Sequence, residues 1–142
     1  MNLYALAAGV AGAIFVVVFF RNTKLEKRRW TYPLLLSTFP VFYWVFAVYG
    51  SDSTALQREV LAGLSFFALS YWAYRLGSSS ALLVLGIGYT GHAIYDFGHN
   101  ALFVNSGAPS WWPEFCGSID LLIGIYLLVM AASVKMAQRR IA

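Results

Sequence analysis

LYALAAGVAGAIFVVVFF, Leu3 to Phe20, runs straight into RNTKLEKRR, Arg21 to Arg29. The first stretch carries no charge. As an α-helix it would be about 27 Å long, close to the roughly 30 Å of a bilayer's hydrocarbon layer. Lipid leaves bare backbone groups unsatisfied, so such a run crosses as a helix. The basic block after it marks where the chain returns to water.

Four more segments follow the same reading: about Trp30–Tyr49, Leu56–Tyr74, Ala81–Phe103 and Ile119–Met136. The third has Arg58 and Glu59 near one end and Arg75 at the other. Charges so placed reach the interface along their own stems. No strand-like alternation argues for a barrel. Composition agrees. Of 142 residues, 60% are hydrophobic and 11% are charged, where soluble domains carry roughly 25%. Those numbers exclude a soluble or disordered chain. They also leave no room for an appended soluble domain, because six or seven spans at about 20 residues each would use the whole length. The expectation is one all-α domain over 1–142, a polytopic membrane bundle of about five helices.

The joints GSDST at Gly50–Thr54 and GSSS at Gly77–Ser80 are turns, and Val104–Gly117 is the one long connection. Arg21, Lys24, Lys27, Arg28, Arg29, Arg75, Lys135, Arg139 and Arg140 all fall at one end of such a bundle, with only Arg58 towards the other. The positive-inside rule then places the N-terminus outside and the C-terminus in the cytoplasm. The first run has no basic stretch ahead of it, so it reads as an anchor and not a cleaved signal. The net charge of +4 belongs to this topology, and no nucleic-acid partner is expected.

The fourth segment reads GIGYTGHAIYDFGHNALF and holds both histidines of the chain, His92 and His99, with Asp96 between them. The spacing i, i+4, i+7 puts all three on one helix face. An ionisable stripe is costly in lipid and should face the interior. Gly86, Gly88, Gly91 and Gly98 suggest close packing of this helix. Glu59, Glu114, Cys116 and Asp120 fall towards the same outer side, so a polar pocket opening to the extracytoplasmic face is expected. Imidazole with carboxylate is a ligand set for zinc, iron, manganese or copper. His92 and His99 are separated by about 10.5 Å of helical rise. One adjacent pair, His92 with Asp96 or Asp96 with His99, would therefore bind, with Asp120, Glu59 or Cys116 completing the shell. Asp96 bridging two metals is another arrangement. The competing reading is a structural polar network in which Asp96 orients a neutral histidine.

In the outer loop, Pro109 and Pro113 limit helix formation. Trp111 and Trp112 suit the interface or a lid over the pocket. Ser118 is a candidate cap of the fifth helix, with Asp120 in its first turn. Cys116 is the lone cysteine, so an intrachain disulfide is excluded. Ser37, Thr38, Pro40 and Tyr43 interrupt the apolar surface of the second segment.

GHAIYDFGH at Gly91–His99 and CGSIDLLIGIY at Cys116–Tyr126, with the Pro/Trp-rich loop between them, resemble a family of small bacterial multi-pass membrane proteins of unknown function. That resemblance implies a bacterial inner membrane and strengthens the site without assigning an activity. A looser similarity is to membrane hydrolases of the alkaline ceramidase and adiponectin-receptor kind. Those hold zinc among three histidines and a carboxylate in a seven-helix bundle, against two histidines and about five spans here.

Three functions compete. The first is a metal-binding membrane protein acting on an apolar or lipid-like substrate, with Asp96 or Asp120 as general base towards water on the metal. The second is an accessory subunit of a larger membrane complex, or a homo-oligomer, whose polar face meets a partner helix, pigment, quinone or lipid. The third is proton or ion conduction along His92, Asp96 and His99.

Overall fold

The computed structural model describes residues 1–76 and 78–139; Gly77, of the expected GSSS turn, and Arg140, of the expected basic end, lie outside the described residues. The described residues form five α-helices and no strand: α1 Leu3–Asn22, α2 Thr31–Tyr49, α3 Ser53–Arg75, α4 Ser78–Leu102 and α5 Trp112–Arg139. A 3-10 turn, Leu25–Lys27, lies between α1 and α2. Three helices, α1, α2 and the Trp112–Ala137 part of α5, are long and apolar enough by themselves to cross a membrane. α3 and α4 are long enough but more polar: α3 carries the exposed Gln57 and Arg58 and the buried Glu59, and α4 the buried His92, Asp96 and His99.

Side chains set several helix starts. The Asn2 side chain accepts from the Tyr4 and Ala5 N–H groups at the head of α1. Asp52 accepts from the Ala55 N–H and starts α3 three residues before Leu56, where the apolar run begins. α5 corrects the sequence reading most. It begins at Trp112, seven residues before Ile119. Pro113 falls in its first turn, where a helix asks for no N–H donor, so proline starts this helix instead of stopping it. Glu114 and Cys116 therefore lie on a helix. Ser118 caps nothing: it sits inside α5, with its hydroxyl 3.0 Å from the Phe115 carbonyl and 3.1 Å from that of Leu6.

Short connections make neighbouring helices antiparallel. α4 lies at the centre, with α5 packed along one side and α3 along the other. α1 packs on α5, and α2 packs on α3 while also touching α4. Leu36, Tyr89, Ile123 and Leu127 have no exposed surface and knit α2, α4 and α5 together. Small residues set the closest approaches. A Cβ on Gly124 would lie 2.6 Å from Thr90 Oγ1 and 2.9 Å from the Thr90 nitrogen, which locks α5 against α4. Gly86 and Gly88 also meet neighbours, Leu128 and Leu36, whereas Gly91 and Gly98 face open space and take no part in packing. The close packing expected of all four thus belongs to two, because the others point away from the bundle.

The loop from Phe103 to Trp111 folds back over the turn joining α2 and α3. A Cβ on Gly107 would sit 1.8 Å from the Phe46 carbonyl oxygen, so only glycine fits there. This fold-back brings Asn105 over the end of α2, where its amide donates to the Tyr43 carbonyl at 3.1 Å.

Candidate metal centre

His92 and Asp96 project from α4, one turn apart, towards α5. There Cys116 and Asp120 project back, again one turn apart. The periodicity of each helix supplies one pair, and the Gly124–Thr90 contact holds the pairs face to face. Each of the four offers a nitrogen, oxygen or sulfur atom, and these atoms all lie within 4.8 Å of one another. His92 Nδ1 is 2.8 Å from Asp120 Oδ2 and 3.2 Å from Asp96 Oδ2. Cys116 Sγ is 3.9 Å from the same Asp120 oxygen.

These spacings can be compared with a coordination shell. Ligands at about 2.0–2.3 Å from a tetrahedral zinc are separated from each other by about 3.3–3.8 Å. The observed edges start below that range and extend above it, to within 4.8 Å, so an ion would require movements of up to about an ångström. Charge points the same way. Two carboxylates and a thiol surround one imidazole, and no lysine or arginine of the described residues pairs with them. His92, Asp96 and Asp120 are 0% exposed and Cys116 is 1% exposed, so water does not offset that excess. Asp120 Oδ1 and His92 Nε2 are buried without a hydrogen-bond partner. A divalent cation at the cluster would balance two formal negative charges and give Asp120 a second use for its oxygens.

Support comes from α2. Tyr43 donates its hydroxyl to Asp96 Oδ1 at 2.9 Å, which orients the carboxylate from outside the ligand cluster. Phe66 stands edge-on to the His92 ring at 4.6 Å and Phe39 lies at 5.8 Å, so the imidazole is walled by aromatic rings.

His99 and Glu59 belong to a second cluster. His99 Nε2 lies 2.8 Å from Glu59 Oε1, which also accepts from Asn105 Nδ2 at 2.9 Å. Tyr95 donates to Glu59 Oε2 at 2.5 Å. This carboxylate has three partners of its own, so both its oxygens are satisfied by protein donors, although the far ring nitrogen of His99, Nδ1, is buried without a partner. Tyr43 joins the two clusters: its hydroxyl serves Asp96 while its ring stacks on His99 at 4.4 Å, with 14° between the planes.

The five expected ligands therefore divide. His92, Asp96 and Asp120 come together with Cys116. His99 and Glu59 pair with each other, and Asp96 does not bridge to His99. A seven-residue spacing along α4 carries His99 two turns from His92, level with Glu59 of α3, whereas it is the ring of Phe66 that α3 sets beside His92. The expected opening is also closed. Trp112 packs on Phe46 at 4.9 Å and on Phe42 at 5.1 Å and so covers that end of the site. Tyr43, Tyr95 and Asn105 were not singled out as site residues. A tyrosine within an apolar span was the available signal for the first two. Asn105, in a loop, carried none.

Comparison of the chain with known protein families, curated proteins and solved structures finds no match.

Proposed function

We propose that this chain is an integral membrane protein of five spans that holds one transition-metal ion between α4 and α5. The ligands are His92 Nδ1, Asp96, Cys116 and Asp120. One observation carries the reading: four buried donor residues from two helices converge within 4.8 Å, and no lysine or arginine among the described residues pairs with them. One nitrogen, one sulfur and two oxygens suit zinc, iron or copper better than magnesium or calcium, which take oxygen alone. Because the four side chains are enclosed, the function assigned is retention of the ion.

Three features support insertion of all five helices. Apolar residues such as Phe15, at 68% exposed, and Ile94, at 69%, cover the outside of the bundle. Exposed Trp30, Tyr71, Trp72 and Tyr74 gather at the end that also carries the basic block, while Tyr4, Tyr49 and Trp111 gather at the other. Two such aromatic belts are what a bilayer's interfaces select. Glu59 of α3 and His92, Asp96 and His99 of α4 are turned inward, where a span can tolerate them. With the basic end cytoplasmic, Glu59 and Asp120 lie in the outer half of the bundle.

The test is elemental analysis of protein purified in detergent without chelator, from cells supplied with zinc, iron and copper. About one ion per chain is expected. His92→Ala and Asp120→Asn should lose most of it, and His99→Ala should keep it. Wild-type protein with no more metal than His92→Ala would end the proposal.

A further inference from the structure

A second cavity of about 680 Å³ opens at the basic end, between the 3-10 turn, α2, α3 and α4. It is a different place from the metal centre: on α4 it reaches Leu85, about 10 Å of helical rise before His92. Its mouth carries Lys27, Arg28, Arg29 and Arg75 against a single carboxylate, Glu26. That carboxylate is engaged by the Tyr126 hydroxyl. None of the four cations has a carboxylate within ion-pair distance among the described residues. Below the mouth the walls turn apolar, through Leu82, Leu85 and Met130.

The floor supplies an independent sign. Tyr32 lines the cavity and is 3% exposed; its hydroxyl lies near the Glu26 carboxylate, whose Oε2 the Tyr126 hydroxyl takes, and itself completes no hydrogen bond. Buried hydroxyls are ordinarily satisfied, and one left open beside a cavity is a donor awaiting an acceptor. The groove thus has a cationic rim, a polar donor beneath it and an apolar interior. That is the profile of an anionic amphiphile, and its volume falls within the range of ligand pockets.

We propose that this groove binds an anionic phospholipid of the surrounding bilayer. Lys27 and Arg28 take the phosphate, the Tyr32 hydroxyl donates to an ester oxygen beneath it, and one acyl chain lies along Leu82, Leu85 and Met130; Arg75, which donates to the Tyr71 hydroxyl at 3.1 Å, adds charge at the rim. Arg29 shapes the rim, because its guanidinium is held by the Tyr74 carbonyl at 2.7 Å and lies over the Tyr74 ring. Basic pockets between membrane helices recognise headgroups in this way. The proposal rests on the membrane reading above and is independent of the metal.

The experiment is native mass spectrometry of the whole protein in detergent mixed with phosphatidylglycerol or phosphatidylcholine of identical acyl chains. Extraction of the cell membranes with alkaline carbonate, run in parallel, reports membrane insertion separately. Retained phosphatidylglycerol should exceed phosphatidylcholine, and inorganic phosphate or glycerol phosphate alone should not compete. Lys27→Ala and Arg28→Ala should each lower retention about fivefold. Tyr32→Phe, which keeps the ring and its packing, should lower it with every charge in place, and so should Leu82→Trp, which fills the groove. Lys24→Ala, at the same end but outside the groove, should leave it unchanged. Equal retention of the two lipids would overturn the proposal. So would a Lys24→Ala loss as large as that of Arg28→Ala, or unchanged binding in both Tyr32→Phe and Leu82→Trp.

Discussion

Glu59 shows how a carboxylate can be kept in the middle of an apolar bundle without a metal. Its two oxygens accept from His99, Asn105 and Tyr95, so α4 and the loop after it converge on one side chain. Removing it leaves three buried donors with nothing to meet. Glu59→Ala should therefore destabilise the protein by about 3–5 kcal/mol, the usual result of breaking a buried pair from one side. Denaturant unfolding in detergent would measure it. Below the unfolding transition the variant should retain its metal, because the His92 cluster does not use Glu59. A metal content falling in step with Glu59→Ala would mean that the two clusters act as one. Asp96 presents the opposite case. It has one good donor, Tyr43, and otherwise faces an imidazole, a second carboxylate and a thiol.

At the scale of helices, the His92–Asp96–Cys116–Asp120 cluster depends on how closely α5 approaches α4. Gly124 sets that distance, since any side chain there meets the Thr90 backbone as well as its hydroxyl. Gly124→Val forces the helices apart and draws the two ligand pairs away from each other. It should cut bound metal severalfold although no ligand is altered, and elemental analysis of the folded variant checks it. Retention at the parent level would show that the helices slide to accommodate the side chain. α1 is held differently. A Cβ on Gly9 would lie 2.0 Å from Ser118 Oγ and 2.2 Å from the Phe115 carbonyl oxygen. The same Ser118 hydroxyl reaches Leu6 of α1, so one small and one polar residue dock α1 beside the start of α5.

For the whole molecule, the distribution of charge and aromatic rings follows one axis. The Lys27 and Arg75 end and the Thr54 end should lie on opposite faces of the membrane. Cys116, the only cysteine, is 1% exposed and should react slowly with a membrane-impermeant thiol reagent. Thr54→Cys should then label from outside intact cells, and Lys27→Cys only after the membrane is opened. Labelling of both from the same side would refute the five-span arrangement.

Helix locations were legible because a helix is made of local contacts: apolar runs mark where each one lies, and a four-residue step puts His92 and Asp96 on one face. The start of α5 was misread, because a proline that ends one helix begins another, and only the chain's context distinguishes the two. Which carboxylate joins which histidine lay outside local reach. Asp120 stands 28 residues from His92, and Glu59 stands 40 from His99. Those pairings depend on which helices touch and at what height, and glycines at Gly9, Gly107 and Gly124 set that through contacts with distant backbone. Sequence alone determined a helical, lipid-suited chain with a polar stripe. The tertiary structure divided that stripe into a satisfied carboxylate cluster and an unbalanced one, because charge compensation is a property of neighbours in space.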